Sequence, residues 1–214
     1  MTSTTSTTMI LDPEAQRVDT LARDILRDDY LHFGLEKLEL LEDKDGVRAK
    51  ATLSRSQPGG QSAGESLEIE GTGVGLVDAF FDGIMRRFGD EYPSLRTISV
   101  CDFKLGTAFD TAQGRKSDAL AVATLRIENS EGVEFQFERK TPSVTRSSVR
   151  ASLDALTFFI NSERAYVQLH VAMKDAKARR RSDLVERYRG QMGTLVAATS
   201  YSEVIEKLRR DGGE

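Results

Sequence analysis

Apolar and polar residues recur along this chain with two different periods. From Arg48 to Leu53 they alternate, with Ala49, Ala51 and Leu53 on one face and Arg48, Lys50 and Thr52 on the other, as in a half-buried strand. Leu67 and Ile69 alternate in the same way with Glu68 and Glu70. Elsewhere the period lengthens to that of a helix. Val18, Leu21, Ala22, Ile25 and Leu26 share a face up to about Tyr30, and Asp12-Pro13 supplies a capping carboxylate followed by proline at the first helical position. Gly34 is expected to end that element, and Leu38 and Leu40 to begin a strand. Val77, Phe80, Phe81, Ile84 and Phe88 form a second helical face, stopped by Gly89.

The pattern then starts again. Leu95–Leu105 is strand-rich. Ala119, Ala121, Ala123, Leu125 and Ile127 alternate, as do Val133, Phe135 and Phe137. Asp45-Gly46 and Glu131-Gly132 are turn signals, and 54–64 and 106–114 read as loops. After Thr141-Pro142 comes a helix with Val149, Leu153, Leu156 and Ile160 on one face. Ala51-Thr52-Leu53 recurs as Ala123-Thr124-Leu125, and Val77-x-Ala79 recurs as Val149-x-Ala151 at the same spacing. The expected fold is therefore α+β: duplicated βββα units forming a layered sheet/helix domain, with extra N- and C-terminal helices. One sheet-plus-helix unit buries too little surface alone, whereas two can share a core. The expected boundaries are a disordered Ser/Thr-rich tail at 1–11 and an N-terminal helix at 12–35. The duplicated domain spans 36–161, with units at 36–90 and 91–161. A helical extension follows at 162–214, built on stripes such as Tyr166, Leu169, Met173, Ala176 and Leu184, Val185, Tyr188, Met192, Leu195. Ser200 and Glu203 read as a capping box for a last short helix.

Composition narrows the function classes. A net charge of −4 over 214 residues gives no electrostatic case for nucleic acid, and the basic run Lys174–Arg181 reads as a solvated helix face. There is no 18-residue apolar stretch for a membrane span, and residues 1–11 lack a secretory signal pattern. The single cysteine, Cys101, fits a reducing cytoplasmic setting and reads as a small buried hydrophobe in a strand. His32 and His170 are far apart and read as surface or packing residues. Neither a metal site, a cofactor nor a nucleophile set is expected, and an enzyme centred on Asp78 or Asp102 has no partner acid or base that the sequence names.

The most informative stretch is Leu67–Phe88, a strand, a glycine turn and a helix. Gly71, Gly73 and Gly75 put bare N–H groups at a helix start, a usable small-anion site. It is neither a dinucleotide fingerprint, since position 76 is leucine, nor a P-loop, since Leu76 and Val77 follow Gly75.

Gly73-x-Gly75-Leu76-Val77-Asp78-Ala79 resembles the Gly-x-Gly-Pro-Val-Asp-Ala motif in the regulatory domain of 2-isopropylmalate and citramalate synthases. Tyr92-Pro93-x-Leu95 followed by Val100-Cys101-Asp102-Phe103-Lys104 is similar to that family's Leu-x-Asp-Tyr-Lys strand and the segment before it. Ser117-Asp118-Ala119 stands where the family has Gly-Thr-Asp-Ala, and Val144-Thr145-x-Ser147 with Ala151-Ser152-x-x-Ala155-Leu156 resembles its last helix. The resemblance covers roughly residues 36–161. It implies a domain that forms a homodimer and binds a branched-chain amino acid near the subunit interface. The implied ligand contacts are Gly73, Gly75, Val77 and Asp78 from the turn and Val100 and Phe103 from the strand. Asp78 would meet the ammonium, turn N–H groups the carboxylate, and Val77, Val100 and Phe103 the side chain. Leu76 replaces the family's proline, Phe103 its tyrosine and Ser147 its asparagine, and Arg139-Lys140 brings cations into the last βα connection. Only about 35 residues precede the first expected strand, too few for the synthases' catalytic barrel of about 250 residues. The reading is a non-catalytic, stand-alone regulatory module acting in trans on a separately encoded synthase. The alternative is a protein-interaction scaffold that keeps the fold without a working effector site.

Overall fold

The computed structural model describes residues 10–58, 65–108 and 120–211. The first unit has strands β2 (His32–Asp43), β3 (Gly46–Ser56) and β4 (Glu65–Gly73), then helix α2 (Leu76–Phe88). The second has β5 (Ile98–Ala108), β6 (Leu120–Asn129) and β7 (Glu134–Thr141), then α3 (Val144–Ala178). Ahead of both lie a two-residue strand β1 (Ile10–Leu11) and helix α1 (Pro13–Leu26); α4 (Ser182–Val196) and α5 (Ser202–Asp211) follow. Sheet order is β2-β3-β4 in one sheet and β1-β7-β6-β5 in the other, with every pairing antiparallel. The central strands β3 and β6 are the repeated Ala-Thr-Leu segments, and in both Ala and Leu are buried. The duplicated βββα architecture is thus present.

Several local expectations are corrected. Gly34 ends no helix: it lies inside β2, where its hydrogen leaves room for the Ser54 hydroxyl, 2.5 Å from where a Cβ would be. The Asp45-Gly46 signal falls one residue late, because Asp43 pairs with Gly46 and the loop is Lys44-Asp45. Gly46 has φ +134°, and a Cβ there would meet the Gly73 carbonyl at 2.6 Å. The loops expected at 54–64 and 106–114 give way to strand through Ser56 and Ala108; positions 59–64, 109–119 and with them Ser117-Asp118-Ala119 lie outside the described residues. Val133 precedes β7 and is exposed, leaving Phe135 and Phe137 to carry that strand's core face. Ile10 and Leu11, placed in the tail by composition, pair with β7. Asp12 explains why: one carboxylate oxygen caps α1 through the Ala15 N–H, and the other accepts the Gln136 N–H of β7, both at 2.8 Å. The last helix starts at Ser202, two residues past the Ser200 that the capping-box reading makes its N-cap.

α3 is the element both units share. It packs on β6 and β7 of its own sheet, on β2 and α2 of the first unit, and on α1 and α4. Expected to bury one face, it instead leaves no exposed residue from Ser147 to Ala165, with Arg150, Asp154, Thr157 and Arg164 half-buried. Its serine and threonine hydroxyls make this possible by donating to carbonyls one turn back: Ser148 to Val144, Ser152 to Ser148, Thr157 to Leu153 and Ser162 to Phe158. Phe158 and Phe159 of α3 mesh with Phe135 and Phe137 of β7, ring centroids 5.4–6.3 Å apart. Asn161, fully buried, accepts the Leu31 N–H and donates to the Leu31 carbonyl, both at 2.9 Å, and so pins the start of β2 to α3. Asn161→Ala leaves both backbone groups buried and unpaired. The expected loss is about 2–4 kcal/mol of unfolding free energy in urea titration; a loss below about 1 kcal/mol would show that β2 is held by packing alone.

Candidate functional site

β4 ends at Gly73 and α2 begins at Leu76 with Gly75 as its N-cap. The reversal is this tight because α2 lies directly on the β4 backbone. A Cβ on Gly71 would stand 2.2 Å from the Ala79 carbonyl and 2.3 Å from the Gly83 nitrogen. One on Gly73 would stand 2.5 Å from the Ala79 nitrogen and 2.6 Å from Asp78 Cβ. Gly75 is different: its φ of −151° is ordinary extended backbone, and a Cβ there would meet nothing within 4 Å. Two of the three glycines therefore serve packing, and the third opens the helix start to solvent. Among the described residues no side chain caps the first turn of α2, and its N–H groups suit an anion. Asp78 is exposed in that turn, and Val77 is buried beneath it. One turn on, Asp82 accepts the Thr72 N–H at 2.9 Å and pairs with Arg86, covering part of the open β4 edge.

Beside the turn runs a groove of about 430 Å³, walled by the β2–β3 hairpin and the end of β4. Gly73, Asp43, Asp45 and Arg48 line it, and Leu41 and Val74, 60% and 90% exposed, add apolar surface.

Val100 and Phe103 lie on β5, in the second unit. Three residues apart, they would face opposite sides of a regular strand. The register shift between Val100 and Asp102 inserts Cys101 as an extra residue, so Val100 pairs with Ile127 and Phe103 with Leu125, both on the core face. β2 does the same around Glu36, setting Leu35 opposite Leu53 and Leu38 opposite Ala51. The bulge also corrects the expectation for Cys101, which is exposed rather than buried. Desolvation, with Glu134 adding, pushes its thiol above the ordinary value. Asp102 is held below the usual carboxylate range by the Lys104 side chain, 2.8 Å away, with Arg126 adding.

Within one protomer the turn and the β5 pair belong to different sheets, and the groove lined by Gly73 takes no wall from β5. The structure thus groups Gly73, Gly75, Val77 and Asp78, and separately Val100 and Phe103, without joining the two sets in one pocket.

Residues 14–162 match the family model of the LeuA allosteric (dimerisation) domain. The chain belongs to that family. No curated protein sequence matches it significantly. The LeuA-domain match begins in α1, takes in both βββα units and ends inside α3; α4 and α5 lie beyond it. Seen in this frame, the departures from the family motif have distinct structural roles. Leu76 packs against the core at the helix start, where the usual proline would have fixed φ. Phe103 also packs on the core. Ser147 is a structural tie, fully buried, donating to the Ala121 carbonyl at 2.9 Å and bonded to the Thr141 hydroxyl at 2.8 Å. Arg139 is held bidentate by Asp154 of α3.

The sequence reading missed Asp82, whose only signal is its place one turn after Asp78. It also missed Gly83, four residues after Ala79, where two small residues in a row on one helix face mark a close backbone approach. Gly73→Ala should cost about 1–3 kcal/mol of stability in a urea titration by forcing α2 off the strand, whereas Gly75→Ala should cost under about 1 kcal/mol. Equal effects at the two positions would contradict this division of labour between the glycines.

Proposed function

We propose that this LeuA-type domain is a non-catalytic regulatory module that forms a homodimer, binds a branched-chain amino acid and acts on a separately encoded synthase. The observation that carries the reading is the family match across both βββα units. The layout of the turn supports it: uncapped N–H groups at the α2 start suit a carboxylate, exposed Asp78 suits an ammonium, and Val77 with the neighbouring apolar surface suits an aliphatic side chain. Because Val100 and Phe103 lie in the other unit, a pocket using both sets takes them from two protomers. Among the described residues β2 and β5 are edge strands, which suits pairing with a second copy.

Sedimentation equilibrium should give twice the chain mass. At about 100 times its dissociation constant, leucine, isoleucine or valine should add about 2.7 kcal/mol, a melting rise of roughly 5–10 °C for a domain of this size. Asp78→Asn should weaken that ligand at least about tenfold while leaving the dimer intact. A monomer, or a dimer whose melting no branched-chain amino acid moves, would sink the effector reading. The second outcome would favour the scaffold alternative, for which the observation is the pair of helices beyond the matched span.

A further inference from the structure

A second cavity, of about 330 Å³, lies between α3 and α5. Its α3 wall carries Glu163, Arg164 and Val167, and its α5 wall Val204, Lys207 and Leu208. The residues of both walls lie beyond the LeuA-domain match, whereas Leu26, Asp29, Glu91 and Tyr92, which also line the cavity, lie within it.

Its charges are unusual. Glu163 is only 4% exposed and accepts the Ser94 N–H at 3.0 Å. The buried Ser94 hydroxyl lies beside the same carboxylate and, with that N–H, favours its ionised form, although it completes no well-formed hydrogen bond. No lysine or arginine among the described residues stands within ion-pairing distance of Glu163, although an unpaired buried carboxylate is costly. Burial accordingly pushes its carboxyl above the ordinary value. Backbone carbonyls rather than carboxylates hold the two cations, and Lys207 acts on Glu163 only from beyond ion-pairing distance. Lys207 donates to the carbonyls of Asp90 and Glu91 at 3.0 and 3.2 Å, and Arg164 to that of Asp29 at 2.5 Å. Of the other two acids lining the cavity, Glu91 is already paired with Arg55 and Arg87, and Asp29 gives Arg164 its backbone carbonyl rather than its carboxylate. One buried carboxylate and two fixed cations thus face a space with aliphatic walls, at the lower end of the volumes that small-molecule sites occupy.

We propose that this cavity binds a small aliphatic zwitterion, an α-amino acid whose ammonium meets Glu163, whose carboxylate meets Lys207 and Arg164, and whose side chain lies on Val167, Val204 and Leu208. The inference is independent of the turn at Gly73–Asp78. The bound ligand ties α5 to α3, so binding is read as slowed amide exchange along α5.

The test is calorimetric titration and amide hydrogen exchange on the full chain. The probes are L-valine, L-leucine and L-isoleucine, with 3-methylbutylamine and 4-methylpentanoate as analogues lacking one charge each. The expected result is slowed exchange over Ser202–Asp211 with at least one amino acid. Both analogues should bind at least about tenfold more weakly, and Glu163→Gln should weaken the amino acid by a similar factor. Glutamine still accepts the Ser94 N–H, so the ligand-free melting temperature of Glu163→Gln should not fall. Val167→Phe, which fills the cavity, should abolish the α5 effect. The inference is overturned if slowed exchange is confined to the Thr72–Asp82 region, if Glu163→Gln binds like the parent, or if none of the three amino acids binds. Slowed exchange on α5 that survives Asp78→Asn would uphold this site whatever becomes of the turn.

Discussion

A helix can sit at the centre of a protein this small only if the polar groups it buries are satisfied without water, and apart from Glu163 the buried stretch of α3 meets that condition. Four hydroxyls along it bond to the preceding turn of their own helix, and Ser147 and Asn161 spend their polar atoms on strands and on the backbone at Leu31. Alanines at 151, 155 and 165 keep the helix thin enough for its neighbours to approach. The rest of the architecture follows. Because α3 accepts partners on all sides, one element closes its own sheet, supports the first unit through β2 and α2, and seats α1 and α4.

The first unit solves its packing differently. α2 has no large polar load to hide and comes down on β4 through Gly71, Gly73, Ala79 and Gly83, almost backbone to backbone. That contact fixes where the α2 N-terminus opens, beside the β2–β3 hairpin whose Gly46 touches the Gly73 carbonyl. In each unit's first strand, a single extra residue turns a pair three apart onto one face, Leu35 with Leu38 and Val100 with Phe103. The duplication is thus visible in its irregularities as well as in its regular elements.

Three buried acids are treated in three ways. Asp19 is tied to Arg23 and, at 2.5 Å, to the Tyr30 hydroxyl, which fastens the end of α1. Asp154 has its carboxyl pushed up by burial, while bidentate Arg139 pulls it back. Glu163 has no cation within ion-pairing distance among the described residues, only the Ser94 N–H and the hydroxyl beside it, with Lys207 acting from farther off. In the first two the charge is answered inside the fold, which is the ordinary structural use of a buried ion. The third is left for something else to answer, and it stands at a cavity.

The sequence by itself determined the order of the main elements, the repeat and most of the core. Period-two and period-3.6 patterns are local, and the same positions, such as Ala49, Ala51 and Leu53 or Phe80, Ile84 and Phe88, are buried in the structure. The turn at Gly73–Asp78 was legible because glycine spacing and a following apolar stripe leave few other conformations. What tertiary structure alone decided was which side of a residue faces what. The bulge at Cys101 exposes a residue that composition would bury, and no local pattern announces a single-residue insertion in a ladder. α3 reads as amphipathic because its serines look polar until their hydroxyls are paired with their own helix. Glu163 and Lys207, more than forty residues apart, come to one cavity only because α5 folds back onto α3, and distance along the chain carries no record of that contact.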